Sequence, residues 1–313
     1  MKTAVVVVVA TGVIGRGVVQ AVLEAGRPVV AVASERHELE QLQASNPDAD
    51  IVALAGSIAG DADGAQLATA LRDLGRPIAG VIVAVSGQAG RGRLLDQPID
   101  ALRCQLDADL LPHLAAARHL LPLLAEARRG GSYVLIGGPG SALPWAGYGH
   151  RSVAAAALCM LARVLHDEAR NLPVRVQLLS VDRPVCPEAR RAPVCPQWPT
   201  AIEIGRRALA LVDGDGKQPP HAVVRYAQAS DRTGDVDSEL RASTLSSATE
   251  QTAAGLQLIQ EPPQQALKQE QPEQEPDSEP PRVPASCLQD ARALLESIAS
   301  PNPHQPNQET FPR

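Results

Sequence analysis

The chain has 313 residues, 44% of them hydrophobic, enough for one sizeable α/β core with residues left over. Charge is uneven: residues 229–313 hold 14 acids against 6 bases while residues 1–228 are close to neutral, so the net charge of −6 sits in the tail. A near-neutral body with 2% aromatics lacks the basic stripe and stacking platform of nucleic-acid binders, and its opening valine run is broken by Gly12 and Gly15 before reaching signal-peptide or membrane-span length.

From the start, apolar runs alternate with helix-like stretches. Residues 4–9, 29–33, 51–54, 81–85, 133–136, 174–179 and 222–226 read as seven strands. The early runs are short, continuous and rich in Val and Ile, as parallel strands buried on both faces require, and stretches such as 17–24 and 65–74 supply the intervening helices. This alternation predicts a Rossmann-type α/β fold, a doubly wound parallel sheet of about seven strands. Two longer helices are expected at 101–128 and 152–170, the second opening on Ala154-Ala155-Ala156-Ala157. Such small side chains allow close helix packing, within the subunit or between copies in a homodimer or tetramer.

After residue 228 the pattern stops. Residues 229–285 are rich in Gln, Glu, Ser and Pro and are expected to form a disordered linker. Residues 286–299 repeat Leu288, Ala291, Leu295 and Ile298 at helical spacing behind a Ser286/Gln289 capping pattern. They read as a chance amphipathic stretch or as a short helix that docks on a protein partner, ahead of a disordered terminus at 300–313. Five scattered cysteines, Cys104, Cys159, Cys186, Cys195 and Cys287, show neither disulfide-framework nor zinc spacing. Reduced thiols, no metal and a cytoplasmic location are expected.

The most informative segment follows the first strand: Val8-Val9-Ala10-Thr11-Gly12-Val13-Ile14-Gly15-Arg16-Gly17, running into a helix-like stretch. Backbone N–H groups at such a helix start hold a pyrophosphate, and glycines let the chain approach it. Here the chain resembles the short-chain dehydrogenase/reductase family, whose first turn reads Thr-Gly-Ala-Thr-Gly-x-Ile-Gly. Ala10 to Gly15 match its second half, while the family's opening Thr-Gly pair falls on Val8 and Val9. The likeness continues through Gly131-Ser132-Tyr133-Val134-Leu135-Ile136 and the run from Pro173 to Leu179, covering about residues 1–228.

The resemblance implies an NAD(P)-binding domain with Ala10, Thr11, Gly12, Ile14 and Gly15 at the dinucleotide, Ser34 and Arg36 at the adenosine ribose, and Gly87 as the glycine kept from the family's Asn-Asn-Ala-Gly. No aspartate stands at Ala33, where NAD-preferring members hold the ribose hydroxyls. Arg36 suits a 2′-phosphate, so NADP is preferred to NAD. The family's aspartate after the third strand falls on Ser57, and its Pro-Gly after the sixth on Val181-Asp182.

The resemblance also implies hydride transfer assisted by Asn, Ser, Tyr and Lys, with tyrosine as acid/base. Tyr148 takes the tyrosine position, but Ser152 stands four residues on, where the lysine belongs. Arg151 offers positive charge at i+3 without a transferable proton. The serine position falls on Gly138, leaving Ser141 as a displaced candidate, and the asparagine position falls on Asp109. Residues 183–199, rich in proline and including Trp198, occupy the place of a substrate-covering loop.

Two functions follow as expectations. One is an NAD(P)(H)-dependent oxidoreductase acting on a small carbonyl or alcohol, with Tyr148 as acid/base. The other is a catalytically inactive cofactor-sensing or scaffold protein that keeps the sheet and uses its tail for interactions.

Overall fold

Seven parallel strands form one sheet in the order β3-β2-β1-β4-β5-β6-β7. They are β1 (Ala4–Val8), β2 (Val29–Ala33), β3 (Ile51–Ala55), β4 (Ile78–Val83), β5 (Gly131–Gly137), β6 (Val174–Ser180) and β7 (Val223–Arg225). The helices are α1 (Val13–Glu24), α2 (Arg36–Ala44), α3 (Asp61–Asp73), α4 (Ile99–Asp109), α5 (Leu111–Ala125), α6 (Gly149–Glu168) and α7 (Ala201–Asp213). The computed structural model describes residues 3–85, 87, 91–127, 130–187, 198–214 and 221–227. The expected linker at 229–285, amphipathic helix at 286–299 and terminus at 300–313 lie outside these residues, as does Cys195.

The strand order reverses direction between β1 and β4, which creates the crevice at the carboxyl ends of the strands where doubly wound sheets bind ligands. Alternate residues of each strand feed opposite layers. Val6, Val8, Val81, Tyr133 and Leu135 pack with Leu67 and Leu71 of α3, Leu120 of α5 and Leu158 of α6. Val5, Val7, Ile82 and Val134 pack with Val18 of α1, Leu39 of α2 and Ile204 of α7. Burial on both faces is why β1 reads as an unbroken valine run.

Gly17 of α1 and Gly205 of α7 meet where those helices touch. A Cβ on Gly17 would collide with the Ala201 backbone, and one on Gly205 with the Gly17 carbonyl. Gly17, which ends the glycine turn in sequence, therefore serves helix packing.

Several expectations are corrected. The first strand stops at Val8 because Val9 turns to a positive φ of 62°. The single helix expected at 101–128 is two, α4 and α5, broken at Leu110 (φ −112°, ψ −55°). Pro112 explains the break, since it donates no N–H to the preceding turn and suits the first turn of a new helix. Two helices had not been expected. One is α2; the other, α7, begins with a capping box in which Thr200 Oγ1 accepts from the Glu203 N–H and the Glu203 carboxylate accepts from the Thr200 N–H. Among the described residues no helix is long and apolar enough to cross a membrane.

Candidate functional site

The turn from β1 to α1 is held from several sides. The Ala10 N–H donates to the Val32 carbonyl at 2.9 Å, tying the turn to β2, and the Gly12 N–H donates back to the Val9 carbonyl at 3.3 Å. The Val9 carbonyl points at Gly15, where any Cβ would collide with it. With both neighbours fixed, Val9 must take the left-handed conformation at φ 62°, which is rare for a β-branched residue and costs on the order of 1–3 kcal/mol. The sequence departs from the family's glycine here, yet the backbone keeps the shape a glycine would take.

Gly12 is different. It is the N-cap of α1 at φ −66°, which any residue adopts, and a Cβ there would meet only Val9 Cγ1 and the Val9 carbonyl, both at 3.6 Å. Its bare Cα leaves space in front of the helix rather than satisfying an internal contact. No side chain caps α1 and its first turn holds no acid. The N–H groups of Val13, Ile14 and Gly15 precede the first intrahelical bond, from Arg16 N–H to the Gly12 carbonyl at 2.8 Å, and the Arg16 Nε–H braces the Thr11 carbonyl at 2.7 Å. This is an anion cradle of N–H groups at a helix start. The residues fit a dinucleotide pyrophosphate, with the Val9 side chain leaning toward the cradle.

Beyond β2, Ala33 is buried, Ser34 is exposed, and Arg36 is exposed as the first residue of α2. Arg36 thus stands at a helix start beside the expected ribose site. At the carboxyl end of β4, the Gly87 N–H donates to Asp109 Oδ1 at 2.6 Å and Gln105 Nε2 donates to Asp109 Oδ2, also at 2.6 Å. Both carboxylate oxygens hold protein donors. Asp109, the last residue of α4, thereby holds the Gly87 backbone N–H. Gln105 was not singled out from the sequence; its i,i+4 spacing to Asp109 was the available signal.

Of the expected catalytic residues, Tyr148 and Arg151 meet at the start of α6. Tyr148 is the N-cap residue, 7% exposed, and stacks on Trp145 with ring centroids 4.4 Å apart. The Arg151 guanidinium lies over the same indole, 5.9 Å from its centroid. It also abuts Gly138, where a Cβ would stand 3.4 Å from Arg151 Nη2. Trp145 was missed in the sequence reading, because its role depends on a loop that folds it back under both neighbours.

Ser152, at the lysine position, is buried. Its Oγ accepts from the Trp145 N–H at 2.8 Å and donates to the Tyr148 carbonyl at 3.1 Å. Gly140 closes over it, since a Cβ on Gly140 would stand 2.8 Å from Ser152 Oγ. Ser141 is brought to the end of β6, where its Oγ lies 3.2 Å from Ser180 Oγ and donates to Asp182 Oδ1 at 3.2 Å. Tyr148, Arg151 and Gly138 therefore form one group around Trp145, and Ser141 belongs to a hydroxyl–carboxylate set on the neighbouring strand.

Two buried polar groups take no part in this arrangement. Both ring nitrogens of His113 on α5 and the Tyr133 hydroxyl on β5 lack a hydrogen-bond partner. Burial pushes His113 down to about 4 and pushes the Tyr133 phenol up. A cleft of about 690 Å3 opens at the amino ends of β1 to β4, lined by Ala4, Pro28, Asp50 and Arg76, at the end of the sheet opposite the glycine turn. Arg76 there is already paired with Asp50 at 2.8 Å. Among the described residues no group of His, Cys, Asp or Glu is arranged to hold a metal ion.

Residues 2–181 match the family model described as short chain dehydrogenase. Solved structures with the same fold include a short-chain dehydrogenase from Streptomyces avermitilis, at TM-score 0.60 and 20% identity, over 82% of this chain and 99% of that one. A short chain oxidoreductase from Pseudomonas aeruginosa PAO1, described as containing an atypical catalytic center and solved with NADPH bound, superposes at TM-score 0.62 and 19% identity, over 71% of this chain and 94% of that one. A short chain dehydrogenase from Burkholderia cenocepacia J2315 in complex with NADP gives TM-score 0.60 and 19% identity, over 78% of this chain and 97% of that one. At these identities the likeness is one of fold. No curated protein matches the chain in sequence.

Proposed function

The chain belongs to the short-chain dehydrogenase family, and on that premise we propose that it is an NAD(P)(H)-dependent oxidoreductase of a small carbonyl or alcohol, with Tyr148 as proton donor. The observation that carries this reading is the group at the start of α6: a buried Tyr148 and the Arg151 guanidinium on one indole, beside a residue with no side chain, Gly138.

The N–H groups of Val13, Ile14 and Gly15 receive the pyrophosphate, and Arg36 receives a ribose 2′-phosphate, which favours NADP. Bound there, the reduced cofactor supplies a hydride to the carbonyl carbon. Tyr148 donates its hydroxyl proton to the carbonyl oxygen, and the stack on Trp145 holds the ring in place for that transfer. Arg151 lies over the same indole but passes no proton onward. Asp109 keeps the Gly87 N–H in position.

With Ser152 serving the loop at the position where the family's lysine belongs, proton transfer lacks one member of the family's relay. Losing such assistance costs about 10²–10⁴-fold in rate. A slow oxidoreductase is the expected phenotype. The commitment of Ser152 to Trp145 and Tyr148 favours a second reading, a cofactor-binding protein without turnover.

Titration with NADPH and NADH, followed by turnover of a carbonyl panel by the parent and Tyr148→Phe, separates the two. Saturable binding with turnover lost in Tyr148→Phe is expected. Binding without turnover in either protein selects the second reading, and no binding at millimolar cofactor overturns both.

A further inference from the structure

Arg151 is half-buried at the carboxyl end of β5, where its guanidinium lies over the Trp145 ring and beside the bare Cα of Gly138. Among the described residues no carboxylate lies within ion-pair distance of it. Of the other half-buried arginines, Arg27 pairs with Asp213 and Arg175 donates to Ser132 Oγ and the Val212 carbonyl, so each has polar acceptors that Arg151 lacks. Partly removing a guanidinium from water without a counter-charge is unfavourable, so its position favours an incoming anion. The neighbouring start of α6 adds to this, having no side-chain cap and no acid in its first turn.

We propose that Arg151 binds a carboxylate of the substrate, so that the protein acts on oxo or hydroxy acids in preference to neutral carbonyl compounds. The choice of carboxylate follows from the guanidinium's planar fork, which meets a planar carboxylate through two parallel N–H···O bonds. The Trp145 ring lies 5.9 Å from the centre of that fork, and the bare Cα of Gly138 leaves room at its edge. The proposal deepens the oxidoreductase reading and rests on the same pocket, but its binding step needs no cofactor and no turnover.

Its test uses Trp145 as a reporter. The chain has two tryptophans, Trp145 and Trp198, so the full-length Trp198→Phe protein leaves Trp145 as the single indole. Cofactor-free protein is titrated with a short 2-oxo acid, with its neutral amide and with inorganic phosphate, while Trp145 fluorescence is followed. Saturable quenching by the oxo acid at about tenfold or more lower concentration than by the amide is expected, from the strength of a charge-assisted hydrogen bond. Arg151→Gln should bring the two ligands to similar affinity, and Arg151→Lys should fall between.

Equal affinity of the parent for acid and amide overturns the proposal, as does phosphate binding as tightly as the oxo acid. Should Arg151→Gln fail to fold, the acid-to-amide ratio of the parent still decides. If the acid binds selectively but no carbonyl is turned over, the oxidoreductase reading fails while the carboxylate site stands.

Discussion

Ser152 Oγ accepts a hydrogen bond from the Trp145 backbone N–H at 2.8 Å and returns one to the Tyr148 carbonyl at 3.1 Å, so the residue at the family's lysine position closes the loop that carries the aromatic pair. Ser152→Lys is therefore expected to harm rather than restore. It removes two buried hydrogen bonds and drives a long side chain against Gly140, at a combined cost of about 2–4 kcal/mol. The melting temperature should fall by roughly 5–15 °C, with no gain in turnover. A variant as stable as the parent and faster would show that the loop is not what excludes lysine.

Gly12 and Gly15 should separate folding from cofactor binding. Gly15→Ala puts a methyl into the Val9 carbonyl and is expected to destabilise the fold by several kcal/mol, on the order of other overpacked cores. Gly12→Ala meets only contacts at 3.6 Å and should melt within about 2 °C of the parent. Its methyl occupies the cradle, so NADPH affinity should drop at least about tenfold, as lost charge-assisted contacts imply. Calorimetric titration of Gly12→Ala with NADPH checks this; unchanged affinity would place the pyrophosphate elsewhere.

Val9→Gly should tighten NADPH binding. The substitution relieves left-handed strain of about 1–3 kcal/mol, offset by about 1 kcal/mol of extra backbone entropy in the unfolded chain and by lost packing of a half-buried valine. Stability should therefore change little, while removal of the side chain widens the cradle. Weaker binding than the parent in the same titration would mean that Val9 itself contacts the cofactor.

Arg36→Ala is expected to abolish any preference for NADPH over NADH while leaving NADH affinity nearly unchanged, since Arg36 is exposed and, in the proposed mode of binding, would meet only the additional phosphate. Comparing the two dissociation constants in parent and variant measures this. A preference that survives the substitution assigns the 2′-phosphate to other residues.

His113 predicts a pH dependence of stability. Burial without a partner lowers its folded pKa from 6.5 to about 4, so between these values the unfolded chain binds the extra proton and the folded chain does not. Stability from this group is fully present above about pH 6.5 and is lost as pH falls toward 4, by up to about 3 kcal/mol. Urea unfolding between pH 7 and 4 should show this slope in the parent and a shallower one in His113→Leu. Parallel slopes would show that His113 is hydrated or paired in solution.

Much of the fold was legible because the sheet writes a local signal. A strand buried on both faces must be apolar at every position, as at Val5 to Val8, and a glycine turn before a helix keeps its spacing whatever surrounds it. The break at Leu110 was also encoded, in Pro112, but lay hidden inside a run of helix-forming residues. The helix α2 gave a weak signal because its buried side is little more than Leu39 and Leu42.

The candidate site was legible by position only. Sequence alone determined that a β–turn–α unit opens the chain, that the lysine position holds Ser152 and that Tyr148 is present. It did not determine what fills the gaps these changes leave. Whether Val9 breaks the turn was decided by the hydrogen bond from Ala10 to Val32 and the approach of Gly15, which force the conformation a glycine would choose freely. Whether Arg151 and Asp109 have partners was decided by Trp145, Gly138, Gly87 and Gln105. Secondary structure follows from periodicities of a few residues, which a sequence displays directly. Charge pairing and backbone strain depend on atoms brought together from distant segments, and only the folded chain fixes those distances.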